Sequence, residues 1–156
     1  MSGDLQDDLA YMLWQLQHRL KRRIESEFAP LRLTIPQFAT LAHLVSDDGP
    51  SAAEMARLLH LTPQAVSLLT LRLEAAGYLT REEATAGRSQ PLRITASGRR
   101  TLAAARAALD RAEQDVFAPL NTGDRATLHR LLEECLHDTG AVMINSMSRS
   151  SGAAQE

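Results

Sequence analysis

Residues 51–77 read SAAEMARLLHLTPQAVSLLTLRLEAAG, and this stretch decides the fold. Ser51 is a capping residue with Glu54 three places on, the reciprocal pairing of a capping box, and Met55, Leu58 and Leu59 give the following helix its inward face. Thr62-Pro63 restarts a helix a few residues later, with a capping hydroxyl and a proline in the first turn, where its missing N–H costs nothing. That second helix turns Val66, Leu69 and Leu73 inward and stops at Gly77, the residue type most at ease in the left-handed backbone of a helix end. Two short capped helices so close together spell a helix-turn-helix.

Working outward, Tyr78–Glu82 and Pro91–Thr95 read as short strands, and the small polar run Ala84–Gln90 as the loop of a β-hairpin wing. Upstream, Thr34-Ile35-Pro36-Gln37 opens a helix with the stripe Phe38, Leu41, Leu44 and Val45, and Asp47-Asp48-Gly49-Pro50 is a turn. Before it, Leu5, Leu9, Leu13, Leu16, Leu20, Ile24 and Phe28 fall on one face of a long helix ended by Ala29-Pro30. After the wing, Leu102, Ala105, Leu109, Ala112 and Val116 step by 3 and 4 as a helix–helix seam closed by Pro119. A last helix starts at Asn121-Thr122-Gly123-Asp124, with Leu128, Leu131, Leu132, Cys135 and Leu136 on its apolar face. The expected fold is mainly α (an α+β winged helix): six helices and one small hairpin, with no internal repeat.

The composition agrees. Alanine (24) and leucine (25) dominate the 156 residues while aromatics are 4%, which favours helices over sheets. No stretch approaches 18 apolar residues, so no membrane span is expected, and the acidic N-terminus is no secretory signal. A cytoplasmic protein is the default. The one cysteine, Cys135, cannot form an internal disulfide, and on an apolar helix face it reads as an inert buried thiol. His129, Cys135 and His137 are spread around their helix rather than gathered on one face, so neither metal nor cofactor is expected. A Gly-rich phosphate loop, a His-x-x-x-His pair and a Gly-x-Ser-x-Gly turn are all missing, which argues against an enzyme.

Net charge is −2, and sixteen of the seventeen bases are arginine, Lys21 being the exception. The sign misleads until the charges are placed. Residues 57–100 hold seven arginines (57, 72, 81, 88, 93, 99, 100) against three acids, while the remainder holds ten bases against sixteen acids. Basic charge collects where a winged helix meets DNA, although Arg57 or Arg93 could equally serve intramolecular pairs.

The chain resembles the MarR family of bacterial winged-helix transcriptional regulators across roughly residues 5–138. The resemblance rests on Leu33-Thr34-Ile35-Pro36-Gln37-Phe38, Leu61-Thr62-Pro63-Gln64-Ala65-Val66-Ser67, Leu73-Glu74-Ala75-Ala76-Gly77-Tyr78-Leu79, the spacing of Arg88 seven before Thr95, and Ile94-Thr95-Ala96-Ser97-Gly98. It implies a homodimer on an inverted-repeat double-stranded operator, and a repressor released by a small aromatic or anionic effector. Residues 1–33 and 99–147 would form the helical dimerisation lobe, 34–98 the winged helix, and 148–156 a tail. Two departures stand out: Ala86 replaces an acidic residue expected two before the wing arginine, and Leu68 and Leu71 occupy recognition-helix positions that are often polar.

On that geometry Thr62, Gln64, Ala65, Ser67 and Thr70 are candidates for the major groove, where Gln64 suits adenine and small apolar groups meet thymine methyls. Arg72 suits phosphate, Arg88 the minor groove, and Ser51, Ser89 and Gln90 complete the set. All could instead be solvated surface. Trp14, His18 and His43 are candidate effector-pocket residues, against plain packing for the tryptophan and surface or satisfied core positions for the histidines. A winged helix docking another protein through Leu68 and Leu71 is the alternative function.

Overall fold

In the computed structural model, which describes residues 8–45, 50–81 and 91–137, six α-helices and one hairpin follow in order. They are α1 (Leu9–Phe28), α2 (Ile35–His43), α3 (Ala52–Leu58), α4 (Pro63–Ala75), β1 (Leu79–Arg81), β2 (Leu92–Ile94), α5 (Ala96–Val116) and α6 (Thr122–His137). Leu5, the Asp47–Gly49 turn, the 82–90 loop and everything after 137 lie outside the described residues. The mainly α winged-helix reading therefore holds, with one addition: Ala29–Leu31 makes a 3-10 turn whose last N–H partner, Arg32, sits at φ 51°.

The caps form where the sequence places them. Thr34 Oγ1 accepts from Gln37 N, and Thr34 N donates to Gln37 Oε1 at 2.9 Å. Ser51 and Glu54 close the second box, with Ser51 N donating to Glu54 Oε2 at 2.8 Å. Thr62 accepts from Ala65 N at 3.2 Å and Thr95 from Gly98 N at 3.0 Å. Each satisfies an amide that a helix start leaves unpaired, at about 1 kcal/mol apiece.

The described residues up to Ala118 form one compact unit and those from Pro119 a second. In the first, α1 packs along α5, α5 meets α2, and α3 lies on α4. Its core joins Phe28, Phe38, Leu41, Leu44, Met55, Val66, Leu73, Leu79 and Leu92, all buried, with the Phe28 and Phe38 rings 5.3 Å apart. Small residues let α5 approach closely: Ala105, Ala108 and Ala112 are fully buried between Leu102 and Val116. Ala108 was not in the expected seam, and Leu109, which was, is only half-buried. An ion-pair ladder adds polar stitching between α1 and α5: Arg23 to Glu27 at 2.7 Å and to Asp115 at 2.8 Å, and Arg111 to Glu27 at 2.8 Å.

The long stripe of α1 is buried only at its end. Ile24 and Phe28 enter the core, whereas Leu9 and Leu13 remain exposed, as do Met12 and Trp14 beside them. The second unit is the same. The apolar residues of α6 are not buried: Leu131, Leu132 and Leu136 are exposed, and so is Cys135, which corrects its reading as a buried thiol.

The hairpin is antiparallel, pairing Leu79 with Ile94, Thr80 with Arg93 and Arg81 with Leu92. One of the junctions that orient it against the helix-turn-helix lies at the end of α4. Gly77, at φ 73°, ends α4, and its carbonyl accepts from Thr95 Oγ1 at 2.7 Å, while Thr95 N donates to Tyr78 O at 3.0 Å. Thr95 thus caps α5 and latches it to the turn between α4 and β1. Gly98 belongs to the same joint, since a Cβ there would overlap Tyr78 O.

Candidate nucleic-acid interface

Helix α4 stands with one face in the core and the opposite face in solvent. Val66, Leu69 and Leu73 are buried, and Gln64, Ala65, Ser67, Leu68, Leu71 and Arg72 are exposed. Its N-terminal turn, with Thr62 as an exposed cap, is open to a ligand as large as a DNA groove. Arg72 is exposed at the edge of this face, within reach of a phosphate that approaches the helix.

Thr70 has to be withdrawn from the base-reading set. It is fully buried, its hydroxyl donates to Ser67 O at 3.1 Å, and it accepts from Arg81 Nη2 at 3.1 Å. Helical rotation carries it to the core side, and its threonine character serves a clamp rather than a base. Arg81 also donates from Nε to Glu74 Oε2 at 3.1 Å, so β1 is tied to the recognition helix at two points. That arginine, although exposed, is engaged by partners of its own chain.

Ser51 is half-buried, with its hydroxyl donated to Glu54 Oε2 at 2.7 Å. Those hydrogen bonds, from side chain and backbone of Ser51, hold the Glu54 carboxyl below the usual carboxylate range. Arg88, Ser89, Gln90 and Ala86 lie outside the described residues.

The three effector candidates do not converge. Trp14 and His18 meet on α1, ring centres 4.8 Å apart, with Tyr11 stacked on Trp14 at 5.9 Å. Trp14 is more than half exposed, so it is not core packing in this chain. These two border a groove of about 500 Å³ with Arg19, Arg22 and Asp115. His43 is on α2, outside that groove and half-buried, and its burial pushes the imidazole pKa down.

A larger groove, about 950 Å³, went unnoticed in the sequence. It runs between Leu20, Lys21 and Ile24 of α1, the Leu33–Pro36 segment, and Leu69 and Arg72 of α4. Only the meeting of three separated segments creates it, so no local pattern could have announced it. No group of three metal-binding side chains occurs among the described residues, and no described helix is long and apolar enough to cross a membrane.

An exposed helix face, a capped helix-turn-helix and a hairpin latched beside it define a winged helix-turn-helix of the kind that docks on duplex DNA. Residues 33–89 match the model of the MarR family. The HTH-type transcriptional repressor Rv2887 of Mycobacterium tuberculosis is 35% identical over 133 residues, 83% of this chain and 96% of that protein. Two solved structures of the same mycobacterial protein superpose well. Its complex with salicylic acid gives a TM-score of 0.70 at 33% identity, covering 86% of this chain and 99% of that one. Its complex with DNA gives 0.72 at 31% identity, covering 82% and 97%. The chain belongs to the MarR family.

Proposed function

We propose that this protein is a sequence-specific, double-stranded DNA-binding transcriptional repressor that acts in the cytoplasm as a homodimer and is released by a small aromatic or anionic effector. The observation that carries this is the exposed face of α4, with Arg72 at its edge, on a fold shared with a relative solved on DNA. Thr62, Gln64, Ala65 and Ser67 would read base edges, Arg72 would hold phosphate, and Arg88, Ser89 and Gln90 would follow the minor groove. The function is binding alone and needs no cofactor or catalytic step.

One helix-turn-helix reads only a few base pairs, so two copies on an inverted repeat supply the rest. The uncovered leucines of α1 and α6 are suited to that contact, each side chain contributing about 1.5–3 kcal/mol if fully buried. The residues 1–33 and 99–147 then form the dimerisation lobe, with 34–98 as the reading head.

For the effector, the groove beside α4 is favoured over the Trp14–His18 groove, because only the former touches the reading helix. Its wall is mostly apolar; Arg72 offers a cation to a carboxylate, and Lys21 a second one that it shares with Glu25 of the same wall at 3.9 Å. A relative binds salicylic acid. An anion held by Arg72 would compete with phosphate for that side chain and shift the pair of reading heads toward a spacing DNA rejects.

The test is selection of bound duplexes from a random pool, followed by release with salicylate. Expected are an enriched inverted repeat and release that is blunted in Lys21→Met but intact in His18→Ala. An unenriched pool contradicts the repressor reading, and equal release from both variants moves the effector elsewhere.

A further inference from the structure

The exposed face of α4 carries two side chains that phosphate and effector binding leave unused. Leu68 is 50% and Leu71 58% exposed, on a helix whose other large apolar residues are in the core. At about 100° per residue, they lie within roughly 40° of the Gln64 meridian, one on each side, and about 6 and 10 Å further along the axis. The outward strip therefore runs from an amide and a hydroxyl, Gln64 and Ser67, into two isobutyl groups. Arg72 stands on its shoulder, and no cation lies on the strip itself.

We propose that Leu68, with Leu71 beyond it, reads thymine methyl groups in the major groove, so that operator preference depends on thymine at fixed positions in each half-site. The inference rests on α4 being the DNA-reading helix. A leucine pressed against polar base edges would strip water from donors and acceptors without replacing their hydrogen bonds. The C5-methyl of thymine is the one apolar projection the major groove offers. Two leucines framed by Gln64, Ser67 and Arg72 form a strip far narrower than the roughly 20–30 residues a side of a stable protein interface. The strip is continuous with the residues that face the bases and fits a groove.

The experiment replaces thymidine by deoxyuridine, position by position, in a duplex selected by the full-length protein, and follows binding by fluorescence anisotropy. Only the methyl is removed, so base pairing and the Gln64 contacts are untouched. Wild type is expected to lose roughly fourfold in affinity at each contacted thymine, the worth of one buried methyl. Leu68→Ala is expected to bind with that difference erased at one position, and Leu71→Ala at a neighbouring one. Both sites are exposed and alanine favours helix, so melting curves should confirm intact folds. Equal binding of the thymidine and deoxyuridine duplexes by wild type overturns the proposal and leaves α4 as the reading helix; the leucines would then be free to dock a protein. An unchanged ratio in both variants also overturns it. Failure to bind any duplex overturns the underlying assignment of α4 and the proposal with it.

Discussion

Gly98→Ala sets two physical effects of opposite sign against each other at the joint that aims the hairpin. Gly98 is the third residue of α5, where alanine should stabilise by about 1 kcal/mol on helix propensity alone. The space is already filled. A Cβ would overlap Tyr78 O and lie 2.8 Å from Ile94 Cγ1 and 3.0 Å from Tyr78 C. Two of those three atoms are backbone, and Tyr78 O is held by Thr95 N at 3.0 Å, so relief requires moving α5 away from the turn. Overpacking of this kind costs about 3 kcal/mol, leaving a net loss of about 2 kcal/mol after the propensity gain. At roughly 2–4 °C per kcal/mol for a chain of this size, Tm should fall by about 4–8 °C. Gly77→Ala is the control. It faces open space but sits at φ 73°, so only backbone strain of about 1 kcal/mol applies and the fall should be about 2–4 °C. Circular-dichroism melts of both variants decide the matter. A Gly98→Ala protein that melts at or above the wild-type temperature would refute the close approach and the latch built on it.

Thr95→Ala removes both the α5 cap and the bond to Gly77 O, and urea titration should show a loss of about 1–2 kcal/mol, largely restored in Thr95→Ser. Burial holds the His43 imidazole below its ordinary pKa, so the unfolded chain takes up that proton first as pH falls. Stability should be full above the usual histidine range and decline below about pH 6.5, a limb that His43→Gln flattens. The Glu27 carboxyl is held below its usual value by the hydrogen bond from Arg111, with Arg23 adding to it. Its contribution should persist above about pH 4.3 and vanish as pH drops through the lower folded value, so Glu27→Gln should flatten the acid limb of a melting series.

Local chemistry made the helices legible. Ser51, Thr62 and Gly77 announce their own boundaries because capping and left-handed backbone depend on one or two side chains. The burial of Val66, Leu69 and Leu73 followed from spacing alone. Thr70 was misplaced because it sits at the edge of the buried arc, and a partner eleven residues away, Arg81, decides which way a borderline position turns. The exposed stripe of α1 and the exposed Cys135 show a second limit. Periodicity identifies an apolar face and is silent on whether this chain or another molecule covers it. The groove against α4 was invisible for a third reason, being made from three segments whose meeting is a property of the fold.

The central claim, that α4 and its flanking arginines grip duplex DNA, is tested most directly by the salt dependence of binding. Anisotropy titrations of one selected duplex across sodium chloride concentrations give the slope of log K against log salt. Two reading heads that each neutralise at least two phosphates should give a slope of about −3.6 or steeper. A flat line, or no measurable binding at low salt, would contradict it.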